Sequence, residues 1–213
     1  MQWGVYLQKM IFMRGIKVFK DMSSTVFIIT GYLASGKTAF SRRLARELGI
    51  PCINKDEFIK ILNRNGAVLQ EQDKKSKEIL IIELILYNMR VIMEAGYSFI
   101  VEGVFVDAET INGIKTSKLF STLIHQYNYM SVVFTMKGNF EVLHERFLER
   151  EKTLERADIS TRGLFENYEV YKRLMRRIDF FYIGGLHFVI DTTEFDKPNW
   201  DRYIEMARLY INA

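Results

Sequence analysis

Four residues within one short stretch have the types and spacing to do chemistry together. In TVFIITGYLASGKTAFSRRLARELG, residues 25 to 49, Gly31, Gly36, Lys37 and Thr38 follow the pattern G-x-x-x-x-G-K-[ST]. Glycines at 31 and 36 permit backbone conformations that a side chain would block. The N–H groups between and just beyond them, including those of Ala34, Ser35 and Ala39, then turn inward as a nest for an anion. A helix opening near Lys37 adds its positive end. Lys37 supplies a mobile charge for β- and γ-phosphates, and the Thr38 hydroxyl is a ligand for Mg²⁺. At ordinary glycine usage the bare pattern arises by chance in roughly one chain of this length in a hundred. Its place after an apolar run and before an amphipathic one makes a mere glycine turn the weaker reading.

Carboxylates come next. CINKDEFIKIL places Asp56 directly after a short apolar segment, where a carboxylate can accept a hydrogen bond from a substrate hydroxyl and take its proton. Asp56 is equally suited to cap a helix over 57–64, and the two roles are compatible. FIVEG puts Glu102 at the end of another apolar run, where an acid can hold a Mg²⁺-bound water; a loop glutamate paired with a lysine is the alternative. Further on, LHERFLEREKTLERADISTR (143–162) carries Arg146, Arg150, Arg156 and Arg162. Cations that arrive as a segment closes neutralise a transferring phosphoryl group, so residues 146–163 read as an arginine-bearing lid. A solvated helix with acid–base pairs four residues apart, Glu145 and Glu149 facing Arg146 and Arg150, competes with that reading for any single arginine.

Elements must hold these groups in place. Strands are predicted at 25–30, 51–54, 97–102, 130–136 and 187–192, several as near-continuous apolar runs of the kind buried on both faces. Helical patterns lie between them, at 37–48, 76–95, 115–127, 139–152, 164–181 and 199–211, with Gly49 stopping the first. Alternation of strand and helix predicts an α/β fold of three layers, a parallel sheet with helices on both faces. Ligands of such sheets gather at the carboxyl ends of the strands. Residues 1–22 read as an N-terminal extension, and 23–213 as one domain.

Composition narrows the classes. Lys and Arg number 30 against 26 Asp and Glu, a net charge of +4 that suits an anionic ligand without pointing to nucleic acid. One cysteine, Cys52, rules out a disulfide framework, and the chain reads as cytoplasmic. No apolar run of about 18 residues predicts a membrane span. His125, His144 and His187 are far apart and read as packing residues rather than a metal or hydrolase cluster. NKDE (54–57) lacks the N-K-x-D order of a guanine signature and comes early in the chain, which argues against a GTPase. Oligomeric state is not legible.

Taken in order, the phosphate loop, NKDEF, FIVEGVF, the arginine segment and FVIDTTEFD resemble the small P-loop kinases: zeta toxins, chloramphenicol phosphotransferase, shikimate and gluconate kinases, and the kinase domain of polynucleotide kinase. The resemblance covers roughly residues 25 to 195. It implies a five-stranded parallel sheet in order 2-3-1-4-5 and ATP with Mg²⁺ as phosphoryl donor. By the same resemblance Asp56 falls at the substrate-hydroxyl base, Arg150 where adenine is stacked, and Arg156 where a lid arginine meets the phosphates. DTT (191–193) ends the fifth strand near the adenine position. Two positions depart from the family: Asn54 stands where several members carry a second acid, and Glu102 where many carry aspartate. The acceptor is expected between 58–75 and 103–118, lined by Phe58, Phe105 and Asp107, with Lys55, Lys60 and Arg64 available to an anionic group. The implied reaction is phosphoryl transfer to a hydroxyl of a small-molecule or nucleotide-like acceptor. A polynucleotide 5′-hydroxyl kinase and a non-catalytic ATP-binding regulator are the alternatives.

Overall fold

The computed structural model describes residues 24–64, 74–107, 113–153, 163, 165–194 and 199–211. Strands β1 (Thr25–Gly31), β2 (Cys52–Asn54), β3 (Phe99–Glu102), β4 (Met130–Lys137) and β5 (Leu186–Asp191) form one sheet. Their order is β2-β3-β1-β4-β5, and every pairing is parallel. Helices α1 (Lys37–Leu48), α2 (Lys55–Arg64), α3 (Lys74–Glu94), α4 (Thr116–Gln126), α5 (Phe140–Glu151), α6 (Tyr168–Ile178) and α7 (Trp200–Ile211) connect and cover the strands. The expected strand order and layering are what the chain adopts. The expected extension, 1–22, lies outside the described residues.

Why the sheet sits at the centre follows from β1. Its side chains alternate between faces, and both faces are dry. Val26 and Ile28 join a core with Ile81, Ile85 and Met89 of α3 and Phe120 and Ile124 of α4. Phe27 and Ile29 point the other way, to Phe40 and Leu44 of α1 and Ile204 and Ala207 of α7. A third cluster sits past the carboxyl end of β1, where Tyr32, Leu33 and Ala34 pack against Leu143 and Phe147 of α5 and Tyr171, Met175 and Ile178 of α6. That cluster builds the floor beneath the site.

Several boundaries differ from expectation for local reasons. Tyr97 is exposed, and Gly96 ends the preceding helix with a left-handed backbone, so β3 starts at Phe99. Helix α2 starts at Lys55 rather than 57, because the Asn54 side chain accepts from the N–H groups of Asp56 (2.8 Å) and Glu57 (3.3 Å). Asn54, not Asp56, is therefore the cap. Helix α6 begins at Tyr168 instead of 164, where the Asn167 side chain accepts from Glu169 N (2.9 Å) and Val170 N (3.2 Å). Gly49 does close α1, with φ 66°.

Candidate functional site

The loop between β1 and α1 is held in a shape that only particular residues tolerate. Gly31 has φ 132°, and a Cβ there would lie 2.0 Å from the Met136 carbonyl oxygen on β4. Ala34 (φ 61°) and Gly36 (φ 87°) are both left-handed, so the chain curls and its N–H groups face one concavity. The first amides of α1, from Lys37, Thr38 and Ala39, add N–H groups for which a helix offers no acceptor of its own. Internal bonds fix the rest. Tyr32 O accepts from Ser35 N (3.3 Å), Ser35 Oγ (2.8 Å) and Lys37 Nζ (2.6 Å). The Lys37 side chain thus lies folded over its own loop, buried, at the point where phosphate oxygens would compete for it.

Sequence reasoning did not foresee what braces this loop from outside. Leu33, at the loop's crest, has both backbone groups held by α6: its N–H lies 3.1 Å from Met175 Sδ, and its carbonyl accepts from the Tyr171 hydroxyl at 3.0 Å. Tyr32 stacks on Phe140 of α5, and its hydroxyl donates to the Asp179 carboxylate at 3.2 Å. Lys137 pairs with that carboxylate at 2.6 Å. An aromatic at 171 on an amphipathic helix is indistinguishable in sequence from an ordinary core residue; only its distance from Leu33 in the fold reveals the bond.

Opposite the loop lies Glu102, almost fully buried at the end of β3. The register pairs it with Ile29 on one side and Asn54 on the other. Its Oε2 accepts from the Thr38 hydroxyl at 3.4 Å and from the Asn54 amide. Burial pushes its carboxyl up from an ordinary 4.5 to about 7; Lys37 pulls it down, Asp56 pushes it up, and Thr38 and Arg150 pull it down. Thr38 thus touches this carboxylate, and Lys37, Asp56 and Arg150 lie near enough for their charges to act on it. Thr38 and Glu102 offer a hydroxyl and a carboxylate side by side. Such hard oxygens suit Mg²⁺, which takes one or two carboxylates and fills its shell with water and phosphate oxygens, so these residues fit the ion. Among the described residues no group of three or more His, Cys, Asp and Glu gathers to hold a metal on protein ligands alone.

Arg150, half-buried at the end of α5, lies near enough for its charge to act on Glu102 and on the Tyr171 hydroxyl. Arg146, which the solvated-helix reading sets against Glu145 and Glu149, reaches across to another element. It donates to the carbonyls of Thr192 and Thr193, 2.6 Å each, and so ties α5 to the chain leaving β5. There Asp191 accepts from Thr193 N and Oγ1 and folds residues 191–193 into a tight turn. Arg156, Arg162 and residues 154–162 of the expected lid lie outside the described residues.

Several expected acceptor residues serve the fold instead. Phe105 is buried in the core, stacked on Phe181 at 5.4 Å. Asp107 accepts from Ser117 N (3.3 Å) and pairs with Lys115 (3.3 Å), holding the start of α4. Lys55 is buried, pairs with Glu78 of α3 and donates to Val104 O at 3.1 Å. Lys60 pairs with Glu57 at 2.8 Å. Phe58 is half-buried against the core beneath α2. His144 packs in the third cluster, its Nε2 2.9 Å from Phe165 O, whereas His125 and His187 are exposed.

A family model described as an AAA domain matches residues 26–164. No curated protein matches the chain. Among solved structures, a candidate kinase from Chloroflexus aurantiacus j-10-fl is 20% identical, with a TM-score of 0.71 over 90% of this chain and 98% of its own. A sugar kinase from Janibacter sp. HTCC2649 is 17% identical, with a TM-score of 0.54 over 89% and 95%. Shikimate kinase from Bacteroides thetaiotaomicron is 15% identical, with a TM-score of 0.54 over 89% and 99%. At those identities the likeness is one of fold. A phosphate loop between β1 and α1, a buried acid at the end of β3 and strand order 2-3-1-4-5 agree with it, and the chain belongs to the AAA domain family, with the fold of the small P-loop kinases.

Proposed function

We propose that this chain is an ATP-dependent kinase that passes the γ-phosphoryl group to a hydroxyl of a small-molecule or nucleotide-like acceptor. The observation that carries the reading is the buried Glu102 at the end of β3, which accepts from Thr38 of the phosphate loop and from Asn54, the cap of the turn that carries Asp56. A domain that only held a nucleotide has no need of a second carboxylate, Asp56, close enough for its charge to act on Glu102.

Each residue then has a task. The loop amides and Lys37 bind the β- and γ-phosphates, Lys37 leaving Tyr32 O to do so. Thr38 and Glu102 would hold Mg²⁺, which when bound supplies positive charge to the phosphate oxygens. Asp56 orients the acceptor hydroxyl and takes its proton. Arg150, whose charge acts on Glu102, neutralises phosphate charge beside that carboxylate in addition to the adenine contact that the resemblance assigns; Arg156 would arrive with the lid at 146–163. Residues 23–213 act as the kinase unit in the cytoplasm, with 1–22 as an extension. Among the described residues no helix is long and apolar enough to cross a membrane.

ADP release with Mg²⁺ and ATP, screened against sugars, hydroxy acids, nucleosides and 5′-hydroxyl oligonucleotides, tests the reading. Release that depends on one acceptor class supports it, and the class names the substrate. Nucleotide binding with no acceptor-dependent release across the panel favours the regulatory alternative.

A further inference from the structure

We propose that Asn54 is a positioning residue whose side-chain amide locks Glu102 to the N-terminus of α2, the turn that carries Asp56. The inference deepens the kinase reading and rests on it.

The two ends of the amide do different work. Oδ1 accepts from Asp56 N at 2.8 Å and Glu57 N at 3.3 Å, while Nδ2 donates to Glu102 Oε2. Turning the amide over would set Nδ2 against two N–H donors and Oδ1 against a carboxylate oxygen, losing all three bonds. Its orientation is therefore dictated by its neighbours. The contact is also built into the sheet, since Asn54 and Glu102 are register partners on adjacent parallel strands and their side chains leave the same face.

Capping alone does not call for asparagine. Serine, threonine and aspartate cap a helix about as well. Aspartate has no donor at neutral pH and would press a carboxylate against Glu102; serine and threonine keep an O–H donor while the oxygen caps the helix, but that short hydroxyl, seated at the helix N–H groups, lacks the reach of the Asn54 amide to Glu102. Asparagine alone among the common caps accepts from the helix and at the same time reaches a carboxylate with a donor. Thr38 donates to the same oxygen, Oε2, at 3.4 Å, so Oε1 carries neither bond. Thr38, Glu102, Asn54 and the Asp56 backbone then form one hydrogen-bonded chain from the phosphate side of the site to the acceptor side. Movement of Glu102 is resisted through Asn54 by the backbone turn that carries Asp56, and movement of that turn by Glu102.

The test separates the cap from the link. Asn54→Ser keeps a capping oxygen and removes the longer amide whose Nδ2 reaches Glu102, and Asn54→Thr is a second variant of the same kind. Binding of a fluorescent ATP analogue is measured with Mg²⁺ and with EDTA for the full chain, for each variant, for Glu102→Gln and for the Asn54→Ser/Glu102→Gln pair. Expected are metal-free affinities within about twofold of the unsubstituted chain and a Mg²⁺ enhancement reduced at least fivefold by Asn54→Ser. No further reduction is expected when Asn54→Ser is added to Glu102→Gln, because Asn54 acts through that carboxylate. Full Mg²⁺ enhancement in the Ser and Thr variants overturns the proposal, as does a further loss in the double variant. If the unsubstituted chain itself shows no Mg²⁺ effect on nucleotide binding, the kinase reading fails and the proposal falls with it. An effect that survives in the variants removes only the role of Asn54.

Discussion

Glu102→Gln should make the ligand-free protein more stable at pH 8, although it removes a residue of the site. Burial holds the Glu102 carboxyl at about 7 against an ordinary 4.5. Each unit is worth about 1.4 kcal/mol, so the ionised side chain costs the folded state roughly 3 kcal/mol. The sign follows from proton counting. Between 4.5 and 7 the folded chain binds more protons here than the unfolded chain, so this contribution to stability falls as pH rises through that window and is gone above it. Glutamine is neutral throughout and still offers an oxygen to Thr38 and Asn54. For a chain of this length 3 kcal/mol corresponds to roughly 6–12 °C in midpoint. Thermal unfolding of both proteins without nucleotide or metal, from pH 5 to pH 8, reads it: the variant should melt higher at pH 8 and converge on the unsubstituted protein near pH 5. Other titrating groups are common to both proteins and cancel in the difference. Equal midpoints at pH 8, or a variant that melts lower at every pH, would refute the idea that Glu102 is held at a cost.

Other outcomes follow from the same geometry. Lys37→Ala should abolish acceptor-dependent ADP release yet leave the urea midpoint nearly unchanged, since Tyr32 O keeps both Ser35 donors. Asp56→Asn should lower kcat by ~10²–10⁴ with ATP affinity preserved; the cap of α2 stays intact because Asn54 provides it, so circular dichroism should not change. Gly31→Ala should cost more than ~3 kcal/mol in urea unfolding or prevent folding, as the new Cβ would sit 2.0 Å from a strand carbonyl. Tyr171→Phe should cost ~1–2 kcal/mol by leaving the buried Leu33 carbonyl without its hydroxyl donor, and it should weaken ATP binding several-fold, measured by analogue titration, because the loop's crest loosens.

What was legible in the sequence tracks how local the cause is. The phosphate loop is readable because each requirement, a left-handed glycine, a lysine and a hydroxyl, falls within eight consecutive residues. The five strands are readable because a strand buried on both faces needs an unbroken apolar run, as β1 has. Asp56 and Glu102 are readable as acids at strand ends. Their linkage through Asn54 is not, since it depends on the register of β2 against β3, which no single segment encodes. Lys55 and Arg146 look like surface cations in their own helices; Glu78 and the Thr192 and Thr193 carbonyls, which claim them, come from other elements. Phe105 looked like a pocket residue because it follows a strand end, yet α4 and Phe181 close over it. Tyr171 and Met175 support the loop from 138 and 142 residues away in sequence, and helical periodicity marks them only as apolar.

Phosphorus NMR of the full reaction tests the central claim most directly. The chain, ATP, Mg²⁺ and the acceptor that the ADP screen selects are followed in one tube, with Lys37→Ala beside it. Growth of a phosphate-monoester resonance in step with loss of the γ-phosphate signal, absent in the Lys37→Ala sample, is the result the kinase reading predicts. Inorganic phosphate as the sole product, or equal transfer by the Lys37→Ala protein, would contradict it.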